Sequence, residues 1–103
     1  MLIFNTTYQV TEAQARNFLI WLTQSYIPLV MEHGDLSAPQ LAEVLSHKDK
    51  NSRSYTLQFD VESSAILHKW HTSQGANLAQ QLVKMFQQEV VGFSTLLEKM
   101  DIK

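Results

Sequence analysis

The pattern that most constrains this chain is a strand that runs into a long amphipathic helix and then returns to strand. It occurs twice within 103 residues. A βαββαβ order predicts an α+β, ferredoxin-like architecture, in which a four-stranded antiparallel sheet carries both helices on one face. The length suits a single domain over residues 1–103 with one ordinary hydrophobic core.

Period-two alternation marks the strands. In strand one the apolar row is Leu2, Phe4, Thr6, Tyr8 and Val10, and the other row is Ile3, Asn5, Thr7 and Gln9. In strand three Tyr55, Leu57, Phe59 and Val61 alternate with Thr56, Gln58 and Asp60. Residues 90–100 alternate again and are predicted to form the last strand.

Helical spacing follows strand one and strand three. Thr11 and Gln14 form a capping-box pattern for helix one, and Gly34 is a typical residue just past its end. Pro28 lies inside this helix, so we expect a kink near Gln24. Helix two starts after Ser63 or Ser64, and small polar residues at 72–75 suggest two helical pieces. Its predicted apolar face comprises Leu67, Trp70, Leu78, Leu82, Met85 and Phe86.

Residues 36–47 are ambiguous. Pro39 is followed by good helix formers, and Ser37 would cap such a helix, so the local sequence indicates helix. However, Leu41, Val44 and Leu45 form only a thin apolar stripe, and a strand here would pair across the 48–52 loop with strand three. We therefore predict a strand.

Composition excludes several classes of function. Eight basic and ten acidic residues give a net charge of −2 without a Lys/Arg cluster, so we expect no nucleic-acid partner. The chain has no cysteine for a disulfide, a thiol nucleophile or a Cys-ligated zinc site. The first residues resemble neither a signal peptide nor a membrane anchor, so a cytoplasmic location is expected. No motif calls for a cofactor.

Four segments together resemble a bacterial family of proteins of about 100 residues that is known only as a domain of unknown function. They are Ile-Phe-Asn-Thr-Thr at 3–7, Tyr-Ile-Pro-Leu-Val-Met-Glu-His-Gly at 26–34, Tyr-Thr-Leu-Gln-Phe at 55–59 and Val-Gly-Phe-Ser-Thr-Leu-Leu-Glu at 91–98. The resemblance implies a ferredoxin-like fold related to the dimeric α+β barrel proteins. It also supports a strand at 36–47. One departure is Leu29, where the family tends to have an acidic residue.

The architecture turns the polar rows into a candidate site. Strands one and three lie side by side in this topology, so Asn5, Thr7, Gln58 and Asp60 should cluster on the face without helices. That face is either simply hydrated or packs against a second copy, with these side chains around an internal cavity. We prefer a homodimeric module that binds a small molecule or a protein through this face.

Helix two supplies the remaining candidates. His68 and His71 share a helix face, but two nitrogens do not make a metal site, and Glu62, His33 or His47 would have to complete it. We therefore predict no metal. Trp70 has helical spacing with Leu67 and is either core or an aromatic wall of a pocket. We include Trp70 and His71 in the candidate pocket.

The alternative function is a dimeric-barrel monooxygenase. Asn5 and Trp70 resemble the Asn and Trp of its haem-degrading members, but residues 79–82 lack the expected iron-ligating histidine. The loop after strand one lacks the glycines and basic charge of acylphosphatases, and strand three lacks the RNA-recognition pattern. The sequence identifies no catalytic residue and leaves open whether the chain is an enzyme.

Overall fold

A computed structural model describes residues 1–46 and 49–102, so His47, Lys48 and Lys103 lie outside the described part. The four strands are β1 (Leu2–Thr11), β2 (Ser37–Glu43), β3 (Ser52–Val61) and β4 (Val90–Glu98). They form one antiparallel sheet in the order β2-β3-β1-β4, with β1 and β3 in the middle as predicted.

Each βαβ half contains a helix built from two α-helical pieces joined by a π-helical turn. Helix one comprises α1 (Ala15–Trp21), the turn Leu22–Tyr26 and α2 (Ile27–His33). Helix two comprises α3 (Ser64–Trp70), the turn His71–Gly75 and α4 (Ala76–Phe86). Short 3₁₀ turns, Glu12–Gln14 and Gln87–Glu89, precede helix one and β4. The prediction of an interrupted second helix is therefore confirmed.

The hydrophobic core lies between the sheet and the two helices. The apolar rows of β1 and β3 face it, and each helix contributes a stripe of buried side chains. Leu22 and Phe18 of helix one are completely buried, and Leu67 and Trp70 of helix two are nearly so. Met85 is an exception to the predicted face, since 54% of it is exposed. It lies near the end of α4, next to the buried Phe86, and points away from the core.

Within the ambiguous segment, Ser37–Glu43 forms a strand and not the helix that the local sequence indicates. Residues 40–43 pair with β3, and the Val44 N–H donates to the Ser54 carbonyl at 2.8 Å. The register shifts between Ser37 and Gln40, with Ala38 at a φ of 52°. Long-range pairing therefore overrides helix propensity, and Pro39 is tolerated because β2 is an edge strand.

The π-turn of helix one lies where the sequence predicts a kink. The Ile27 N–H donates to the Leu22 carbonyl, which is the five-residue spacing of a π-turn. Pro28 has no N–H to donate and would crowd the carbonyl four residues before it in a regular α-helix. Widening the preceding turn accommodates the proline without ending the helix. The helix then ends at Gly34, with a φ of 92°.

The two predicted helix starts have different outcomes. Ser63 caps helix two, and its Oγ accepts a bond from the Ile66 N–H at 3.2 Å. The capping box at Thr11 is wrong, because the Thr11 hydroxyl is buried without a hydrogen-bond partner. The Gln14 side chain instead accepts a bond from Asn17 Nδ2. An intervening 3₁₀ turn moves the start of α1 away from Thr11.

Candidate functional site

The face of the sheet opposite the helices, called the open face below, carries four of the predicted site residues. Asn5 lies directly across from Gln58, and Thr7 lies two residues further along β1. Asp60 follows Gln58 by two residues on β3, on the same face. All four are partly buried. The structure therefore brings these four residues together in the centre of the sheet.

The polar groups on the open face differ in whether they have partners. The Asp60 carboxylate accepts a bond from Lys99 Nζ at 2.9 Å, so its charge is matched by an opposite one. The side-chain oxygen of Asn5 is buried and has no hydrogen-bond partner. A buried acceptor of this kind costs roughly 1–3 kcal/mol until a donor reaches it. The centre of the open face therefore contains a buried hydrogen-bond acceptor without a donor.

An apolar row on β4 extends the open face. Val91, Phe93 and Leu97 pair with the polar row of β1 and so face the same way. They are 60%, 65% and 41% exposed. Their alternation is visible in the sequence, but it does not identify them as residues of a site. Both rows of β4 contain apolar residues, so only the register with β1 decides which row faces away from the helices.

Trp70 and His71 lie on the other side of the sheet. Trp70 is only 2% exposed and meets Phe4 edge to face, with ring centroids 5.9 Å apart. The His71 ring stands perpendicular to Phe4 at 5.1 Å. Because Phe4 faces the helices and Asn5 does not, the six predicted residues do not share one pocket. The structure divides them into an open-face group of four and a helix-side group of two.

The helix-side group lines a concavity between helix two and the β1–β4 edge of the sheet, called the helix–sheet cleft below. The cleft holds about 400 Å³. Its aromatic residues are Phe4, Tyr8, Tyr26, Trp70 and His71, and its smaller residues are Thr6, Gly75, Leu78, Ala79, Leu82, Val83, Val90, Val91, Gly92 and Ser94. Among the described residues, none that lines the cleft is Asp, Glu, Lys or Arg.

Four hydroxyl groups in the cleft form a hydrogen-bonded chain. Thr6 Oγ1 and Ser94 Oγ are 3.0 Å apart across the β1–β4 pair. Hydrogen bonds also join the Tyr8 hydroxyl to Thr6 and to Tyr26. The Tyr26 end is buried and the Ser94 end is exposed. The chain of hydroxyls therefore extends from Tyr26 in the core to Ser94 at the exposed end of the cleft.

Burial keeps the two tyrosine hydroxyls of this chain uncharged. It raises the pKa of Tyr8 above 10.0, outweighing the hydrogen bonds from Tyr26 and Thr6 that lower it. Burial also raises the pKa of Tyr26, and the neighbouring Tyr8 adds to this effect. At the cleft wall, partial burial and then the charge of His68 lower the pKa of His71. Both tyrosines are protonated and His71 is mainly neutral at pH 7.

The π-turns position the cleft walls. Trp70 Nε1 donates to Gln74 Oε1 at 2.8 Å, and Gln74 Nε2 donates to the Leu29 carbonyl at 2.8 Å. Gln74 thus fastens helix two to helix one and uses the indole N–H. A Cβ on Gly75 would lie 2.8 Å from the Trp70 ring, so glycine lets the turn pass close to the indole. Tyr26 ends the other π-turn and also lines the cleft.

The histidine pair on helix two does not gather further ligands. Within residues 1–46 and 49–102, no three His, Cys, Asp or Glu side chains are placed to hold a metal ion. His33 instead bonds to Asp35, at 3.1 Å. His47, which sequence analysis considered as a third ligand, is outside the described residues.

The sequence does not identify the residues of the hydroxyl chain as members of a site. Thr6 and Tyr8 belong to the apolar row of β1, and Tyr26 belongs to the apolar stripe of helix one, so each reads as core. Ser94 lies 88 residues from Thr6. A weak signal was present, because hydroxyl-bearing residues in a core-facing row require hydrogen-bond partners when buried.

Comparison with solved structures shows the same fold in proteins of very different sequence. HapK from Hahella chejuensis superposes with a TM-score of 0.75 at 15% identity, covering 100% of this chain and 96% of that one. A protein described as an antibiotic biosynthesis monooxygenase from Deinococcus radiodurans gives 0.72 at 15% identity, with the same coverage.

A dimeric ferredoxin-like protein from an uncultured marine organism gives a TM-score of 0.69 at 10% identity, covering 98% of this chain and 97% of that one. At such identities the likeness shows the fold alone. None of the helices in the described part of the chain is long and apolar enough to cross a bilayer.

Family comparison covers almost the whole sequence. The family model for a domain of unknown function, DUF4286, matches residues 1–100. No curated protein matches the chain significantly. The resemblance inferred from the four sequence segments is confirmed, and so is the ferredoxin-like architecture. The chain belongs to the DUF4286 family, a domain of unknown function with a ferredoxin-like fold.

Proposed function

We propose that this protein is a homodimeric module that binds a small, uncharged molecule in the helix–sheet cleft of each protomer. The observation that carries the proposal is the cleft itself. It combines aromatic and aliphatic walls with a few convergent hydroxyls, and its volume of about 400 Å³ lies in the range of small-molecule sites. Binding sites of this kind are mostly apolar, with a small number of polar groups that fix the ligand's orientation.

In this proposal the open face serves dimerisation. Its exposed apolar row, Val91, Phe93 and Leu97, lies beside the polar centre at Asn5, which resembles the mixed composition of protein interfaces. Four strands of about nine residues span roughly 550 Å² per copy at ordinary strand spacings. Two copies would bury about 1,100 Å², near the lower limit of a stable interface. Among the described strand residues, Asp60 is the charged one on this face, and it is already paired with Lys99.

Self-association would give the open face the apolar contacts and the hydrogen-bond donor that it lacks within one protomer. A second copy would cover the apolar row and could bring a donor near Asn5, whose amide rotates easily about its last torsion. The dimeric state of one solved neighbour supports this arrangement. A polar cavity between the two sheets, like the cytoplasmic location, stays a prediction from the sequence.

Light scattering with variants tests the dimer. The natural chain should be a dimer at micromolar concentration, and Phe93→Glu should raise the dimer dissociation constant at least a hundredfold, because it buries two uncompensated charges. Met85→Glu is the matched control, with similar exposure but on helix two. A monomeric natural chain, or equal behaviour of the two variants, would contradict dimerisation through the open face.

Filling the cleft tests the binding site. Ala79 is exposed and lines the cleft, so Ala79→Trp should block it without disturbing the core. The matched control is Ala76→Trp, one turn earlier on the same helix and outside the lining. Calorimetric titration with 2-naphthol should show binding to the natural chain and the control only. Equal binding to both variants would exclude the cleft.

A second candidate function is oxygenation of an aromatic substrate in the same cleft. The observation that favours it is the likeness to proteins described as antibiotic biosynthesis monooxygenases. The haem-degrading form loses support, since Asn5 and Trp70 lie on opposite faces of the sheet. A haem titration without a Soret shift would exclude that form. Oxygen uptake with 1,5-dihydroxynaphthalene, lost in Ala79→Trp, would support a cofactor-independent reaction.

A further inference from the structure

The cleft's chemistry limits the kind of molecule it can hold. Phe4, Tyr8, Tyr26 and Trp70 line the cleft although each is at most 7% exposed, and contacts with aromatic rings favour flat, aromatic ligands. No Asp, Glu, Lys or Arg among the described residues lines the cleft, and the lowered pKa of His71 leaves little positive charge there. A charged ligand would lose its hydration without gaining an opposite charge, which costs several kcal/mol.

The hydroxyl chain adds a directional element. Every hydroxyl in the series Ser94–Thr6–Tyr8–Tyr26 can both donate and accept, so the chain can run in either direction. Its exposed end, Ser94, can therefore donate to a carbonyl oxygen or accept from a ligand hydroxyl. Its buried end stays protonated, because burial raises the pKa of both tyrosines.

We propose that the cleft selects an uncharged aromatic molecule with one hydroxyl or carbonyl oxygen, and that Ser94 at the open end of the hydroxyl chain binds this oxygen. The inference rests on the proposed binding function of the cleft and specifies its ligand class. Thr6, Tyr8 and Tyr26 act as positioning residues behind Ser94. The aromatic walls supply affinity, and the hydroxyl chain supplies orientation.

A matched set of naphthalenes tests the ligand class. Calorimetric titration with naphthalene, 2-naphthol, 2-acetylnaphthalene and 2-naphthoate varies one substituent on a constant ring. 2-Naphthol and 2-acetylnaphthalene should each bind about tenfold more tightly than naphthalene, the gain of one good hydrogen bond. 2-Naphthoate should bind at least tenfold more weakly than naphthalene. Equal affinities for naphthalene and 2-naphthol would overturn the inference.

Variants assign the preference to Ser94. Ser94→Ala should reduce the tenfold preference for 2-naphthol over naphthalene to about twofold or less. Ser73→Ala is the matched control, because Ser73 is exposed and bonds to the Lys69 carbonyl outside the cleft. Tyr26→Phe, at the far end of the chain, should cause a smaller loss. If Ser94→Ala kept the full tenfold preference for 2-naphthol over naphthalene, the assignment of this preference to Ser94 would be overturned.

The two proposals fail in distinguishable ways. If none of the four probes binds, the binding function proposed for the cleft fails, and the ligand class fails with it. If naphthalene binds and Ala79→Trp abolishes its binding, the cleft is a binding site. If naphthalene and the uncharged oxygenated probes then bound with equal affinity, only the ligand class would be overturned.

Discussion

On the helix-covered face of β1, Thr6 and Tyr8 belong to a continuous chain of hydroxyls, whereas on the opposite face Asn5 has a buried oxygen without a partner. The covered face is complete within one chain, because helix one and β4 supply the missing partners. In the part of the chain that the structure describes, no helix covers the open face, and the apolar row of this face is exposed. This difference agrees with the two proposals, which place a ligand site on the helix-covered side and a dimer interface on the open face.

Removing one large side chain from each face should give the largest contrast. Trp70→Ala empties a site that is 2% exposed and should lower the free energy of unfolding by about 3–5 kcal/mol. Phe93→Ala, at a site 65% exposed, should cost less than about 0.5 kcal/mol within a protomer. Urea unfolding at submicromolar concentration measures both, since a dimer contributes least there. Equal losses would contradict the difference in packing between the two faces of the sheet.

Gly75→Ala probes how tightly the covered face is packed. The new Cβ would lie 2.8 Å from the Trp70 ring, and the required shift should cost about 1–3 kcal/mol. Gly34→Ala is the control, because nothing lies within 4 Å of its Cβ and the cost arises only from a φ of 92°. Tryptophan fluorescence should change in the first variant alone. An unchanged spectrum in Gly75→Ala would mean that the indole tolerates the methyl group.

Alkaline unfolding should reveal the buried hydroxyls. Tyrosine in the unfolded chain ionises near pH 10.0, while Tyr8 and Tyr26 resist ionisation in the fold because their pKa values are raised. The unfolded state then binds fewer protons, so stability should be unaffected below pH 10 and fall above it, by up to about 1.4 kcal/mol per pH unit for each tyrosine. Tyr26→Phe should flatten this slope in urea unfolding between pH 9 and 11. An unchanged slope would contradict the raised pKa.

Asp60→Asn should give the smallest effect. The Asp60–Lys99 pair is partly exposed, so its loss should cost about 0.5 kcal/mol or less in the free energy of unfolding. The cost should shrink further in 1 M salt, which screens surface charges. Lys99→Met removes the other partner and serves as the control for the same pair. A loss above about 2 kcal/mol would show that the open face depends on this pair much more than its exposure suggests.

Several parts of the fold were accessible to sequence reasoning because they depend on local periodicity. The alternation in residues 2–10 and 55–61 identified the two central strands and their core rows. It also placed Asn5, Thr7, Gln58 and Asp60 on one face. Helical spacing identified both helices and the weak turn at 72–75. These patterns repeat every two or 3.6 residues, so a short window contains the information.

Other features depend on residues far apart in the sequence. Local propensity at 36–47 indicates helix, and only pairing with β3 makes Ser37–Glu43 a strand. The β1 register alone decided that Phe93 faces away from the helices and Ser94 towards Thr6. Contact between helix two and Phe4 places Trp70 on the side of the sheet opposite to Asn5, so the six predicted residues do not share one pocket.

Local periodicity is enough to predict the order of strands and helices along the chain and the polar row at the centre of the sheet, because side-chain direction follows from the period of each element. Tertiary structure alone brings together the residues that line the helix–sheet cleft. The helix–sheet cleft joins Thr6 and Tyr8 of β1, Tyr26 of helix one and Ser94 of β4, and hydrogen bonds join these hydroxyls only once the chain has folded. Such contacts span up to 88 residues, and no local pattern encodes them.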